Sequence, residues 1–177
     1  MVREIVVYPN KILKQKSKEV VEFNEELHRL LDDMYETMIA KKGVGLAAIQ
    51  IAVPKRVFIV NIPIEEQDGA QPKENTLEVI NPQFLEMSGS TKYQEGCLSV
   101  PGYYEDVARY KYVKLKYQDR FGNEHILEDD DFLAIALQHE FEHLEGKLFI
   151  EKLSIIKRKK FEKEWKKKKS MKKVWFL

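Results

Sequence analysis

The sequence predicts an α+β fold, with antiparallel strands around a buried central helix, an N-terminal helix and a basic C-terminal helix. Three observations carry this reading. The stretch "KYVKLKYQ" (111–118) alternates strictly, with Val113, Leu115 and Tyr117 on one face and Lys114 and Lys116 on the other. That is the pattern of a half-buried antiparallel strand. The stretch "DDDFLAIALQHEFEHLEG" (129–146) is apolar around nearly its whole circumference, which marks a buried helix. A lysine-rich segment opening at Ser154 gives the third.

Taken in order, Asn24 is placed to cap a helix running to about Lys42. Its stripe is Leu27, Leu30, Leu31, Met34 and Met38, and Gly43 stops it. "RVFIVNI" (56–62) is β-rich and mostly apolar, so it reads as a buried strand. "IEEQDGAQPKEN" (64–75) is polar and carries Gly and Pro, so it reads as a loop. "LEVINP" (77–82) is a further strand, ended by Asn-Pro. "DRFGNE" (119–124) is a turn and "HILE" (125–128) the returning strand. Asp130 or Asp131 caps the buried helix and Gly146 closes it. A strand-like "KLFIEKL" then leads to the basic helix, which runs to about residue 169.

With 177 residues, 44% hydrophobic and 33% charged, the chain fits one soluble domain with a sizeable core. The expected division is a catalytic unit at 1–153 and a basic helix or tail at 154–177. No apolar run is long enough to span a bilayer, and "MVREIVVYPN" lacks the pattern of a signal peptide. The expected location is cytoplasmic, without a membrane partner. The lone cysteine, Cys97, rules out an intrachain disulfide and leaves a free thiol, an apolar filler or a ligand. Residues 151–177 hold 12 Lys/Arg and 3 Glu, against 18 basic and 26 acidic residues elsewhere. An acidic body with a basic tail suggests an anionic partner, with a solvated terminal helix as the plainer reading.

The chemistry centres on "HEFEH" (139–143), which holds half of the chain's four histidines. Residues i and i+4 share a helix face, with Cβ atoms about 5–6 Å apart. A metal bonded at roughly 2.0–2.1 Å to each imidazole fits that gap. Such an ion lowers the pKa of its water to about 7, and Glu140 is rotated so that it can take the released proton. Two protein ligands are too few for a catalytic site. Glu145 or another carboxylate, or Cys97 in "YQEGCLSVPG", could supply the third. In "KKGVGLAAIQIAVP" (41–54), small residues permit close approach to the backbone, and the Gln50 amide is a candidate oxyanion donor.

The three stretches together resemble the bacterial-type peptide deformylase family. Its signatures G-φ-G-φ-A-A-x-Q, E-G-C-φ-S and H-E-x-D-H, with φ apolar, are matched in order by "GVGLAAIQ" (43–50), "EGCLS" (95–99) and "HEFEH" (139–143). The likeness runs from the Pro9 region to about residue 155. It implies removal of the formyl group from the N-terminal formylmethionine of nascent polypeptides. It also implies that Cys97, His139 and His143 bind the metal and that Glu140 is the acid/base. Gln50 and the backbone N–H of Leu98 would hold the oxyanion. Gly43, Val44 and Gly45 would offer backbone to an extended peptide. Val44, Ile135 and Ala136 would line the methionine pocket, with His139 at its edge. The implied metal is ferrous iron (Fe2+), which Zn2+, Ni2+ or Co2+ can replace. The implied partner, besides formylmethionyl nascent peptides, is the ribosome, reached through the basic C-terminal helix. Deleting residues 157–177 is then expected to weaken ribosome binding and to spare turnover of small peptides. The chain departs from the family at Glu142, where Asp is usual, and Arg109 is a candidate partner for that side chain. Two rival readings use the same residues: a zinc endopeptidase, and a ribosome- or RNA-binding module with a structural metal.

Overall fold

A five-stranded antiparallel sheet is sandwiched between two helices, and a separate two-stranded hairpin stands beside it. The computed structural model describes the backbone of residues 1–175 and the side chains of residues 1–167. The helices are α1 (Glu25–Ala40), α2 (Phe132–Leu144) and α3 (Ile155–Trp175). The strands are β1 (Gly45–Ala47), β2 (Val57–Val60), β3 (Leu77–Ser88), β4 (Thr91–Cys97), β5 (Val100–Arg109), β6 (Tyr112–Gln118) and β7 (Glu124–Asp129). The large sheet has the order β1-β2-β3-β6-β7, and β4 pairs with β5.

Helix α1 forms where its sequence signals stand. Asn24 Oδ1 accepts from Leu27 N at 3.1 Å, satisfying one of the N–H groups that a helix start leaves unpaired. Leu27, Leu30, Leu31, Met34 and Met38 are all buried. They pack on Leu46, Val57, Ile59 and Ile80. The alternate residues Ala47, Phe58, Val60 and Val79 face the other way, onto Ala134, Leu137 and Leu144 of α2. Every residue of β2 is therefore buried, which explains its unbroken apolar run in a sheet that is antiparallel throughout.

No residue of α2 is exposed. Ala134, Leu137 and Leu144 meet the sheet, while Ile135, Ala136, His139 and Glu140 line a cleft on the opposite side. Gly146 follows the helix at φ 74°, a left-handed value that glycine adopts without strain.

Several local expectations are corrected. The strand from Leu77 does not end at Asn-Pro but runs on to Ser88. Asn81 takes φ 51° and the register shifts between Ile80 and Gln83, so a bulge absorbs Pro82, as bulges do. Asp131 stands at the N-cap of α2 without a side-chain bond; Asp129 Oδ2 instead accepts from Asp131 N and Ala134 N. The segment expected as a strand at 147–153 contains a 3-10 turn, Phe149–Lys152. The β4–β5 hairpin had no clear periodic signal. Helix α3 extends beyond residue 169, and its lysine side chains from Lys168 on lie outside the described residues.

Helix α3 is not simply appended. Phe161 is 1% exposed and packs with Leu13, Val100, Val107 and Phe149. Its ring meets Tyr8 at 5.4 Å and Tyr103 at 4.6 Å between centroids. A deletion from residue 157 would remove this ring and open the third core cluster, so it would not isolate the role of the lysines. Phe161→Ala should destabilise the fold by about 3–5 kcal/mol, measured by urea denaturation. Lys160→Ala, one residue away on the exposed face, should change it by less than about 0.5 kcal/mol.

Candidate metal centre and active-site cleft

Three segments distant in sequence meet at one cleft of about 400 Å³. Gly43, Val44, Gly45 and Gln50 come from β1 and the link around it. Cys97 and Leu98 come from the end of β4. Ile135, Ala136, His139 and Glu140 come from α2. His143 lies behind them, 1% exposed.

The three sequence-proposed ligands form a cluster. One donor atom from each of Cys97, His139 and His143 lies within 4.8 Å of the others, and among the described residues this is the one group of His, Cys, Asp and Glu with such spacing. Cys97 Sγ is 3.5 Å from His143 Nε2. Around a tetrahedral ion with bonds of about 2.0–2.3 Å, donor atoms stand roughly 3.3–3.8 Å apart, so the group fits one ion. It offers three protein donors, the number typical of a catalytic site, against four for a structural one. Glu145, the other candidate ligand, pairs with Arg56 at 3.0 Å.

Charge in the cluster suits a cation. Burial pushes the His143 imidazole well below its usual pKa, and the positive charges of His139 and Arg109 add to this. It is therefore neutral, the form that binds a metal. Burial also disfavours a charged His139, but its bonds to Cys97 and Glu95 and the nearby Glu140 outweigh this and hold its pKa well above normal. The proton held there is one that a bound cation would displace.

Glu95 and Arg109 orient this arrangement. Glu95 Oε1 accepts from His139 Nδ1 at 2.8 Å, which directs the other ring nitrogen toward Cys97. Arg109 Nε and Nη2 grip both Glu95 oxygens at 2.7 Å each. Arg109 Nη1 also bonds Glu142, and Lys152 Nζ lies 3.3 Å from the same Glu142 oxygen. Desolvation pushes the Glu95 carboxyl up, yet Arg109 and His139 together hold it below its usual value. The departure at Glu142 thus keeps a contact with Arg109.

Glu140 is 5% exposed. Burial pushes its pKa up to about 7; His139 and Arg109 oppose this and Glu95 reinforces it. Its Oε1 is buried without a hydrogen-bond partner among the described residues. Gly45 makes room for it: a Cβ there would sit 2.6 Å from Glu140 Oε2. Gln50 is fixed by Ala47 N, which donates to Oε1 at 2.9 Å, and by Ser99 Oγ, which accepts from Nε2 at 3.0 Å. The same Nε2 is 3.6 Å from Cys97 Sγ.

The sequence reading missed Glu95 and Ser99 as orienting groups, although both lie inside the "EGCLS" stretch. It named Arg109 only as a partner of Glu142. Tyr93 and Phe132 also line the cleft, with ring centroids 5.2 Å apart, and had no local signal.

The chain is similar to known proteins over most of its length. A family model for polypeptide deformylase matches residues 2–159. Peptide deformylase of Nautilia profundicola is 60% identical over 166 residues, covering 94% of each chain. That of Helicobacter pylori strain G27 is 59% identical over 163 residues, covering 92% of each. Among solved structures, a peptide deformylase from Legionella pneumophila superposes with a TM-score of 0.87 at 37% identity, covering 97% of this chain and 98% of that one. The Ehrlichia chaffeensis enzyme in complex with actinonin gives 0.84 at 40% identity, covering 94% and 97%.

Arg109→Met should strand Glu95 and Glu142 without their shared counter-charge. The expected cost is about 3–5 kcal/mol of stability and roughly 10–100-fold in metal affinity through loss of the His139 orientation. Denaturation and chelator competition measure the two effects separately.

Proposed function

The chain belongs to the polypeptide deformylase family, and on that premise we propose the residue roles by which it acts. It is a hydrolase that removes the formyl group from the N-terminus of nascent polypeptides, and the family is metal-dependent. The observation that carries the assignment is the convergence of Cys97, from the hairpin, on the two histidines of α2.

In this reading Cys97, His139 and His143 hold the ion, and α2 is the central buried helix around which the strands assemble. Ferrous iron is the favoured metal, on family resemblance, and the mixed thiolate–imidazole set accepts Zn2+, Ni2+ or Co2+ as well. When bound, the ion supplies Lewis acidity to the formyl oxygen and makes a water molecule acidic enough to ionise near neutral pH. The chain's own residues do the rest. Glu140 accepts a proton from the attacking water and returns it to the departing amine as formate leaves. Gln50 Nε2 and the Leu98 N–H stabilise the oxyanion that develops on the formyl oxygen. The edge of β1, from Gly43 to Gly45, receives the peptide as an added strand. Val44, Ile135 and Ala136 surround the methionine side chain.

Residues 1–153 are read as the catalytic unit and 154–177 as a basic helix or tail, its described part docked through Phe161 and Trp165. Opposite those rings, Lys159, Lys160, Lys163, Lys166 and Lys167 of α3 are exposed, and this face is the proposed contact with ribosomal RNA. A cytoplasmic location goes with that partner. No helix of the described residues is long and apolar enough to cross a membrane.

Glu140→Gln, with metal content unchanged, should lower formate release from formyl-Met-Ala by at least about 10²–10⁴-fold. Near-full activity in that variant would remove Glu140 as the base, and internal peptide cleavage without formate would favour an endopeptidase. Replacing Lys159, Lys160, Lys163, Lys166 and Lys167 by Gln should weaken ribosome binding and flatten its salt dependence. Turnover of formyl-Met-Ala should stay within about twofold, since those lysines point to solvent. Unchanged ribosome affinity would overturn the docking role.

A further inference from the structure

The Gln71 side chain ties the polar loop at 64–75 to Gly43, a residue that lines the cleft. Its Nε2 donates to Gly43 O at 3.0 Å and to Asn61 O at 2.8 Å, so both amide hydrogens are committed to main-chain carbonyls. The Tyr35 hydroxyl on α1 donates to Gln71 O at 2.7 Å and fixes the residue's own backbone. The loop is anchored again through Asn61, which is 1% exposed and donates from Nδ2 to Pro72 O and Thr76 Oγ1, each at 2.9 Å.

This fork changes what β1 presents. Asn61 N donates to Val44 O at 2.8 Å. In a regular antiparallel pair, the Val44 N–H would return a bond to Asn61 O. That carbonyl is taken by Gln71 instead, and the β1–β2 register begins at Gly45. Val44 N–H is left without a backbone acceptor among the described residues, on a residue that lines the cleft. The Gly43-Val44-Gly45 segment has little rigidity of its own, because glycine restricts the backbone weakly. Gly43 is held from two sides: its N–H donates to Met38 O at 2.9 Å, and its carbonyl accepts from Gln71.

We propose that Gln71 is a positioning residue for peptide binding: by occupying the Gly43 and Asn61 carbonyls it keeps the lip of β1 ordered and the Val44 N–H available to the substrate main chain. This rests on the reading that the β1 edge receives the peptide. Gln71 touches no reacting atom, so its effect falls on peptide binding, chiefly of residues beyond the formylmethionine, and not on the chemical step.

The test compares formyl-methioninamide with formyl-Met-Ala-Ser on the wild type, on Gln71→Met, which keeps the volume without the donors, and on Thr76→Val, which loosens the same loop elsewhere. Loss of the fork should raise KM for the tripeptide by about tenfold, the scale of one hydrogen bond, with kcat within about twofold and a smaller rise for the shorter substrate, which meets Val44 only through its methionine. Thr76→Val should lower the melting temperature without that KM split. If the wild type gains nothing from the second and third residues, the edge-strand reading fails and this role with it. If the wild type gains and Gln71→Met keeps the gain, the role of Gln71 alone is overturned. A KM shift that follows melting temperature across both variants reduces Gln71 to a structural residue and overturns the proposal equally.

Discussion

One buried guanidinium ties the hairpin that carries Cys97 to the helix that carries both histidines. Arg109, 4% exposed on β5, bonds Glu95 on β4 and Glu142 on α2, and Glu95 in turn receives His139. Neither β4 nor β5 belongs to the main sheet, so main-sheet hydrogen bonding does not set the distance from Cys97 to α2. The ion network and the apolar cluster of Val100, Val107 and Phe149 do. A buried charge network is a poor source of net stability, since desolvation offsets most of its attraction. Its value here is geometric: the guanidinium fork admits few arrangements, and the one present holds Glu95 against the His139 imidazole.

The same helix serves two environments. Sheet-facing Ala134, Leu137 and Leu144 anchor it by apolar burial, while His139, Glu140 and His143 occupy the other side. Because β2 and β3 fill the space behind α2, its cleft face cannot rotate without pulling apolar side chains out of a packed core. Glu140 is then held against the one position where β1 has no Cβ, Gly45. The small residues of "GVGLAAIQ" thus meet two requirements: an edge strand free on one side, and room for a carboxylate that burial keeps near neutral pKa.

Legibility from sequence followed the range of the interactions. The α1 stripe, the β6 alternation and the α2 circumference were readable because each is a local periodicity that burial enforces. Asn24 was readable because capping is decided within four residues. The β4–β5 hairpin was not: β5 alternates in burial from Tyr103 to Arg109, but its inward positions include Glu105 and Arg109 beside Tyr103 and Val107, so no apolar alternation marks it. Pro82 misled because a bulge, which depends on Asn81 bonding Val20 at 2.9 Å across the fold, cannot be inferred from neighbours. Among the site residues, His139, Glu140 and His143 could be read from their spacing, whereas Cys97 and Gln50 drew their expected roles from the family resemblance. Arg109 could not be assigned to Glu95, because nothing in the local sequence distinguishes a buried arginine from an exposed one. Gln71 sat in a stretch that composition marks only as loop.

The glutamate at 142 shows how a departure from the family pattern can be absorbed. One more methylene than aspartate lets the carboxylate lie between Arg109 and Lys152, two cations from different elements. Arg109 is already committed to Glu95 through two of its nitrogens, so position 142 reaches the third. An acceptor there therefore completes the guanidinium and does not compete for the bonds that orient His139. What the position requires is a negative oxygen at that third nitrogen, and a longer side chain meets the requirement when a lysine such as Lys152 stands on its far side to share the charge.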